Sequence, residues 1–303
     1  MSVSPVLPGL IVRAQSGFFE VATESGRVIT QLRGKLKRGP RTGDAAALGD
    51  RVCMSLLEDG SGIIEEVLPR ARVLSRQAPG RKAEQVIVAN PDQVIFVVAC
   101  ADPDPNFRML DRLLVAAERE QIPARIGANK IDLVVERAAR AEFDEYAGLG
   151  YPVHYVSALT GKGTKALRKA LAGKISVFAG PSGVGKSSLL NAIQPGLGLH
   201  TAEVSQVTGK GTHTTVVPEL LALDVGGYVA DTPGLRAFAL WDIEPEEVDG
   251  YFPELRDLVA DCAFNDCTHL HEPGCAVIAA VERGQVSPER YDSYCHIRQG
   301  SPD

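Results

Sequence analysis

Short stretches of alternating apolar and polar residues fill the first quarter of the chain, separated by turns that contain glycine. The stretches predicted as strands are 10–12, 18–22, 28–32, 51–56 and 63–67. Five short strands within about 65 residues predict a small closed β-barrel, and an oligonucleotide-binding (OB) barrel is one such form. An SH3-like barrel fits the same pattern and stays open as the alternative.

Beyond residue 92, apolar strands alternate with amphipathic helices. Strands are predicted at 93–100, 124–128, 153–157 and 175–179, and helices at 107–120, 134–149, 165–171 and 186–193. Such alternation predicts a mostly parallel sheet that is covered on both faces. Two further strands, 216–224 and 228–231, flank a tight turn at Gly226-Gly227.

The rest of the chain supplies a linker and a third region. Residues 70–92 are rich in arginine and show little apolar periodicity, so we interpret them as a linker that either binds phosphate or is simply solvated. After Trp241 the pattern is helical with short loops. We therefore predict an OB-like β-barrel at 1–75, an α/β domain at 76–240 and an α-helical module at 241–303.

Composition places the chain among ordinary globular proteins, with 45% hydrophobic and 23% charged residues. No run of about 18 apolar residues and no basic-then-apolar start is present, so we expect a cytoplasmic protein without membrane contact. The net charge is -6, yet residues 1–90 hold 13 Lys and Arg against 9 Asp and Glu. Any surface that faces RNA is therefore expected in the first 90 residues, although a plain solvated surface explains the charges equally well.

A phosphate-binding motif of the form G-x-x-x-x-G-K-S follows the strand 175–179 and precedes a helix. Its glycines allow backbone N–H groups to face phosphate oxygens, and the helix adds the positive end of its dipole. Lys186 supplies a charge for the terminal phosphates and Ser187 a hydroxyl for Mg²⁺. The predicted contacts are Gly180, Pro181, Ser182, Gly183, Val184, Gly185, Lys186, Ser187 and Ser188.

Two later segments are candidates for binding Mg²⁺ and for contacting the γ-phosphate. Asp231-Thr232-Pro233-Gly234 follows a strand, which suits a carboxylate at Asp231 that holds Mg²⁺ and a Gly234 N–H that senses the γ-phosphate. The polar segment 209–215 suits a switch that becomes ordered on the triphosphate. Within it Thr215 is the favoured Mg²⁺ ligand, with Thr214 as the alternative.

A candidate guanine site precedes the phosphate loop in the chain. Asn129-Lys130-Ile131-Asp132 ends a strand, and Ser157-Ala158 ends the next one. Asp132 can accept hydrogen bonds from the ring N–H and the exocyclic amine of guanine, whereas adenine lacks these two donors. Asn129 can bond the base and the neighbouring loop, the Lys130 stem can pack along the ring, and a backbone N–H at Ser157-Ala158 can meet the guanine carbonyl.

These motifs form the complete set of a GTPase, but in a rotated order with base recognition before phosphate chemistry. The chain closely resembles the ribosome small-subunit-dependent GTPase A family, which consists of circularly permuted P-loop GTPases. The resemblance extends to Leu32-Arg33-Gly34-Lys35 and Leu48-Gly49-Asp50 in the barrel and to a Cys/His cluster after the GTPase part. It implies GTP and GDP as ligands and the small ribosomal subunit, with its rRNA, as the partner of a monomer.

Three cysteines and a histidine crowd together in the third region, at Cys262, Cys267, His269 and Cys275. Three thiolates and an imidazole are enough to close a tetrahedral Zn²⁺ site, which then has a structural role. The resemblance implies these same four ligands. His271 is the rival ligand, and buried cysteines without metal are the other alternative.

The motifs do not directly identify the residue that positions the attacking water. Ras-like enzymes orient the attacking water with a Gln after D-x-x-G, but Leu235 stands there in this chain. We therefore expect His213 to position the water, assisted by Lys186 and Thr215, and we expect slow turnover that a partner accelerates. By resemblance that partner is the small ribosomal subunit, whose late maturation the chain assists.

Two other functional classes remain to be weighed. An rRNA-binding scaffold that uses GTP only as an affinity ligand is the main alternative, and the intact Lys186, Ser187 and Asp231 argue for hydrolysis instead. A P-loop kinase or transport ATPase is disfavoured by Asp132, which selects guanine.

Overall fold

The first part of the chain folds into a closed five-stranded barrel. The structure, a computed structural model, describes residues 6–37, 45–77, 84–199, 218–230 and 243–300. The barrel strands are β1 (Val6–Gln15), β2 (Phe18–Thr23), β3 (Gly26–Leu32), β4 (Arg51–Leu56) and β5 (Gly62–Val67). They lie in the order β1-β2-β3-β5-β4, with β1 antiparallel to β4 and β3 parallel to β5. This Greek-key order is that of an OB barrel, so the OB-like prediction is confirmed.

Alternation along most of the barrel strands explains why the barrel is filled rather than hollow. Ile11, Val21, Val52, Met54 and Ile64 point inward and are fully buried. Most residues between them face outward, as a period of two along a strand requires, but Val12 is also buried where the register of β1 with β2 shifts. A short 3₁₀ turn, Gly34–Lys37, follows β3 and carries Lys35 and Lys37.

The linker predicted for residues 70–92 is in part a hairpin, which corrects the sequence interpretation. Strands β6 (Val73–Gln77) and β7 (Glu84–Ala89) form a two-stranded antiparallel sheet, and Leu74 and Val88 are buried in the core. Arg70 forms an ion pair with the fully buried Asp50, so it is not free to bind phosphate. The sequence hides the hairpin because basic residues interrupt its short apolar pattern.

A six-stranded sheet forms the centre of the molecule. Its strands are β8 (Gln93–Ala99), β9 (Ala124–Asn129), β10 (Val153–Tyr155), β11 (Lys174–Ala179), β12 (Leu220–Ala222) and β13 (Gly227–Ala230). The strands lie in the order β10-β9-β8-β11-β13-β12, and all pairs are parallel except β12 with β13. The Gly226-Gly227 turn joins β12 and β13 as predicted.

Four helices cover the two faces of the sheet, namely α1 (Phe107–Arg119), α2 (Glu136–Gly148), α3 (Thr164–Leu171) and α4 (Lys186–Ile193). Every residue of β8 is buried, as expected for a central strand packed on both sides. Strands β9 and β11 flank β8, and all three run in the same direction. Their carboxyl ends therefore meet at one edge of the sheet, where ligands of such sheets bind.

The last part of the chain is a small helical module with its own core. A 3₁₀ segment, Pro245–Tyr251, precedes α5 (Pro253–Arg256), α6 (Ala276–Glu282) and α7 (Pro288–Arg298). Among the described residues, no helix is both long and apolar enough to cross a membrane. The domain limits at 75/76 and 240/241 stay predictions, and the first of them falls within β6.

A buried arginine joins this module to a helix that covers the central sheet. Arg290 on α7 is 2% exposed and donates to Asp111 on α1 at 2.6 Å and to Glu254 on α5 at 2.7 Å. Its guanidinium lies 4.6 Å from the ring centroid of Phe252, and Tyr146 donates to the same Asp111 carboxylate. Burial raises the pKa of Asp111, although the Arg290 charge opposes the shift. The junction is thus a buried charged cluster, in which removal of one member would leave the others as unpaired buried charges.

Replacing Arg290 by Met should lower the free energy of unfolding by about 3–5 kcal/mol, because Asp111 and Glu254 would stay buried without their cation. Denaturant unfolding measures this change. The matched control is Arg108→Met. Arg108 pairs with Asp292 at the same junction, but both side chains are about half exposed. This variant should lower the free energy of unfolding by less than about 1 kcal/mol. Equal losses of unfolding free energy in the two variants would contradict the claim that the buried cluster stabilises the junction more than the exposed pair does.

Candidate nucleotide site and metal centre

The phosphate loop connects β11 to α4 and has the backbone geometry that close contact with phosphate requires. Gly180 has φ of 142°, and a Cβ there would lie 2.3 Å from the carbonyl oxygen of Val97. Gly185 has φ of 87° and immediately precedes the first residue of α4, Lys186. Both positions therefore strongly favour glycine over any residue with a side chain. The loop leads straight into a helix start, which is the arrangement that binds phosphate groups.

Lys186 lies across the loop that it is predicted to serve. Its Nζ donates to the carbonyl oxygens of Gly180 at 2.9 Å and Pro181 at 2.7 Å. Ser187 and Ser188 are half-buried in the first turn of α4, and Val184 is buried beneath the loop. The structure thus brings the predicted phosphate contacts into one short segment with the lysine charge at its centre.

Asn129 connects the predicted guanine motif to the phosphate loop. It is the last residue of β9 and is 1% exposed. Its Nδ2 donates to the carbonyl oxygen of Val184 at 2.8 Å, and its Oδ1 accepts from the N–H of Ala158 at 3.2 Å. One amide side chain therefore joins three loops that follow three different strands.

The rest of the guanine motif turns sharply at the end of β9. Lys130 has φ of 62°, and its Nζ donates to the carbonyl oxygen of Asp102. Ile131 is buried and its N–H donates to Val156 at 3.2 Å, which leaves Asp132 exposed at the surface. The carboxylate of Asp132 is accessible to a base as the sequence analysis expects.

Ser157 has a role that the motif alone does not reveal. Its side chain is fully buried, its N–H donates to Lys162 at 3.0 Å, and its Oγ accepts from the N–H of Thr160 at 3.0 Å. These bonds fold residues 157–162 into a tight turn. Of Ser157 and Ala158, it is Ala158 whose backbone N–H donates to the side chain of Asn129. The sequence signal for this turn, a Thr-Gly pair at 160–161 after the strand, is too common to identify it.

Burial also affects a thiol beside the guanine motif. It raises the pKa of Cys100 to about 11, and the charges of Glu142 and Asp132 add to the shift. Cys100 is therefore an uncharged, buried thiol at neutral pH, and its N–H donates to the carbonyl oxygen of Asn129 at 2.8 Å.

Several predicted residues lie outside the part of the chain that the structure describes. These are His213, Thr214, Thr215, Asp231, Gly234 and Leu235. The strand that leads to Asp231, β13, ends at Ala230 and pairs in parallel with β11. The assignment of these residues to Mg²⁺, the γ-phosphate and the attacking water stays a prediction.

The Cys/His residues of the third region converge on one point. The ligand atoms of Cys262, Cys267, His269 and Cys275 all lie within 4.8 Å of one another. The Nδ1 of His269 is 3.5 Å from Sγ of Cys262 and 3.4 Å from Sγ of Cys275, and these two sulfur atoms are 4.0 Å apart. A tetrahedral Zn²⁺ ion would separate two sulfurs by about 3.8 Å and a sulfur and a nitrogen by about 3.5 Å. The donor set and its spacing therefore fit zinc.

A carboxylate orients the histidine of this cluster. The Nε2 of His269 lies 3.2 Å from Oδ2 of Asp249, which leaves Nδ1 to face the thiols. Although burial opposes the shift, this contact lowers the pKa of Asp249 below its usual range. Such a carboxylate partner is typical of metal-binding histidines. The sequence analysis missed Asp249, which is 20 residues away from His269 in the chain.

The rival ligand lies elsewhere in the loop. His271 is exposed, and it is not among the residues whose ligand atoms converge. Cys295 and His296 lie within α7 and do not belong to the cluster.

The fold and the two sites together define a P-loop GTPase with its motifs in permuted order, preceded by an OB barrel and followed by a Cys/His module. The chain matches the RsgA N-terminal domain over residues 8–64 and the RsgA GTPase family over residues 67–241. It belongs to the RsgA GTPase family and is accordingly a GTP hydrolase.

Relatives that share the architecture cover almost the whole chain. A small ribosomal subunit biogenesis GTPase RsgA from Gemmatimonas aurantiaca is 48% identical, and the match covers 96% of each chain. One from Moorella thermoacetica is 46% identical over 95% of each chain. The crystal structure of YjeQ from Thermotoga maritima has a TM-score of 0.83 at 39% identity over 98% of both chains. YloQ, a circularly permuted GTPase, has a TM-score of 0.78 at 32% identity over 98% of this chain and 95% of that one.

The purified chain should contain one zinc ion, and Cys267→Ala should lose it while destabilising the helical module. Removing the carboxylate with Asp249→Asn should retain the ion but weaken its affinity about 10- to 100-fold. Elemental analysis and competition with a chelator measure both effects. The control is Cys295→Ala in the same module, which should retain zinc. A folded wild-type chain without metal would refute the assignment.

Proposed function

We propose that the chain acts in late maturation of the small ribosomal subunit, as a monomer in the cytoplasm that is not attached to membranes. It binds the subunit and its rRNA with GTP bound, and the subunit stimulates hydrolysis to GDP and phosphate, which ends the association. The relatives called small ribosomal subunit biogenesis GTPase support this proposal, because they match the barrel, the GTPase part and the helical module together.

The observation that supports the proposal most directly is the link made by Asn129. Because its amide connects the guanine loop to the carbonyl of Val184 in the phosphate loop, base recognition and phosphate binding belong to one site. In this site Asp132 accepts from the two donors of guanine, and the stem of Lys130 packs along the ring. The N–H of Ala158 donates to Oδ1 of Asn129 at 3.2 Å, and it shares this hydrogen with the guanine carbonyl when the base binds.

The phosphate end of the site uses the loop between β11 and α4. Its backbone N–H groups and Lys186 hold the β- and γ-phosphates, and the side chains of Ser187, Thr215 and Asp231 hold Mg²⁺ directly or through water. Magnesium neutralises the charge that develops on the phosphates. The N–H of Gly234 senses the γ-phosphate.

The chain lacks a glutamine for the attacking water, since Leu235 occupies its place. His213 positions the water when the segment 209–215 becomes ordered around the triphosphate. The subunit accelerates the reaction by favouring that ordered arrangement. A structural Zn²⁺ ion, held by the four residues of the Cys/His cluster, stabilises the helical module independently of the chemistry.

Phosphate release with and without purified small subunits tests this function. The chain alone should turn over slowly, small subunits should accelerate it by at least about tenfold, and large subunits should not. The acceleration should fall as salt rises, because basic residues at the end of β3 and after it meet RNA phosphates and release counterions. Those residues are Arg33, Lys35, Lys37 and Arg38.

A pair of variants separates binding from chemistry in the same assay. His213→Ala should retain binding to the subunit and lose the stimulated rate, whereas neutralising the four basic residues should reduce binding and stimulation together. Equal rates with and without small subunits would contradict the function. An rRNA-binding scaffold would instead bind the subunit without accelerated hydrolysis.

A further inference from the structure

The segment that runs from the 157–162 turn through α3 is strongly basic. Residues 157–174 contain five lysines and arginines and no aspartate or glutamate, whereas α2 contains four acidic residues and two arginines. The five are Lys162, Lys165, Arg168, Lys169 and Lys174. This basic segment belongs to the GTPase part of the chain, outside the first 90 residues in which the balance of charge alone predicts a surface that faces RNA.

Helix α3 buries its apolar side and turns its lysines outward. Leu167 and Leu171 are fully buried in a core that α3 shares with α4 on one face of the sheet. Lys165 and Lys169 lie one turn apart on the other side of α3 and are exposed, as is Ala166. Within the part of the chain that the structure describes, neither lysine forms an ion pair. We call Lys165, Arg168 and Lys169 the α3 surface.

Nearby carboxylates do not cancel the charge of the α3 surface. Glu136 pairs with Lys162, which lies outside this surface, and Asp224 lies 3.9 Å from Arg168. Helix α4, the neighbour of α3 on the same face of the sheet, contains no acidic residue. If Asp224 offsets Arg168 completely, the charges of Lys165 and Lys169 still remain.

The chemistry of the α3 surface fits RNA phosphates better than a protein. Lysine is depleted at protein–protein interfaces, whose centres are typically built on aromatic and other large side chains. The leucines of α3 are buried, and the exposed residue beside its two lysines is Ala166, so the helix offers no apolar anchor to a protein. Two ammonium groups without ion-pair partners instead suit a phosphate backbone, from which they release counterions.

We propose that the α3 surface is a second RNA contact of this chain, at which Lys165 and Lys169 bind backbone phosphates of the small subunit. The contact positions the GTPase part and reads no sequence, as is usual for lysines on phosphates. The proposal rests on the proposed function, because the subunit supplies the RNA.

Hydrogen bonds and close packing join the α3 surface to the nucleotide site. The hydroxyl of Thr164, the first residue of α3, donates to the carbonyl oxygen of Gly161 at 2.7 Å. Gly163 has φ of 72°, and a Cβ there would lie 2.1 Å from the carbonyl oxygen of Tyr155. The helix therefore starts in a fixed position directly after the 157–162 turn. Phosphates on α3 would hold the GTPase part as well as the barrel on the subunit, and two linked contacts strengthen each other.

The salt dependence of binding to purified small subunits tests the proposal on the full chain. In Lys165→Gln/Lys169→Gln, the slope of log affinity against log salt should fall by about 1.4–1.8, because each phosphate contact contributes about 0.7–0.9. The affinity advantage of the wild type should therefore shrink about 7- to 12-fold as salt rises from about 50 to about 200 mM. GTP affinity and hydrolysis without subunits should not change.

Two further variants separate a local contact from net charge. Arg137→Gln/Arg140→Gln removes the same charge from α2, which covers the opposite face of the sheet and where both arginines are exposed among acidic residues. This control should keep the salt slope of the wild type. Lys165→Arg/Lys169→Arg retains the charge and should keep it as well.

A photoreactive amino acid in place of Ala166 identifies the class of partner. Illumination of the complex with the small subunit should attach the chain to RNA, which digestion with ribonuclease reveals. The same amino acid in place of Ala138, which is exposed on α2, should attach to neither RNA nor protein. Attachment at position 166 to protein alone, or to nothing, would overturn the proposal.

An unchanged salt slope in Lys165→Gln/Lys169→Gln would also overturn it, and so would an equal fall in the α2 control. The proposed function fails in a different way. If small subunits bind and accelerate the wild-type chain while the lysine variant keeps its slope, only the α3 surface is wrong. If small subunits neither bind nor accelerate the wild-type chain, the proposed function is wrong and the α3 surface falls with it.

Discussion

The nucleotide site depends on one buried amide. Asn129 is 1% exposed, and its two polar atoms bond Val184 and Ala158 in two different loops. A buried amide that lost either partner would leave a polar atom unsatisfied, at a cost of about 1–3 kcal/mol. The hydrogen bonds of this side chain therefore fix the relative positions of the loops after β9, β10 and β11. Gly185 shares the constraint, since a Cβ there would lie 2.7 Å from Nδ2 of Asn129.

This constraint explains why the rotated order of motifs does not disturb the site. Parallel strands β9 and β11 lie on either side of β8, so their carboxyl ends are neighbours whichever comes first in the chain. Asp50 and Arg70 fix the barrel to the segment that follows it, and Arg290 fixes the helical module to α1. Both flanking modules are thus joined to their neighbours through buried carboxylates.

Sequence reasoning succeeded where chemistry is local in the chain. The phosphate loop, the Asn129 to Asp132 motif and the Cys/His cluster each occupy a short segment, and the structure places each in the expected kind of element. It failed where partners are distant. The Arg290 cluster joins residues 179 positions apart, and Asp249 reaches His269 from another turn. Contacts between residues so far apart leave no periodic pattern in the sequence. The β6–β7 hairpin was missed because charged residues interrupt its alternation of apolar and polar residues.

The most direct test of this account is a double-mutant cycle on GTP affinity with Asn129→Ala and Gly185→Ala. If the amide fixes the phosphate loop, Gly185→Ala should weaken binding less in the Asn129→Ala background than in the wild type, because the group that its methyl would strike is gone. The account predicts a coupling free energy between the two positions of about 0.5–3 kcal/mol. Strictly additive losses would show that the two loops are held independently, and would contradict it.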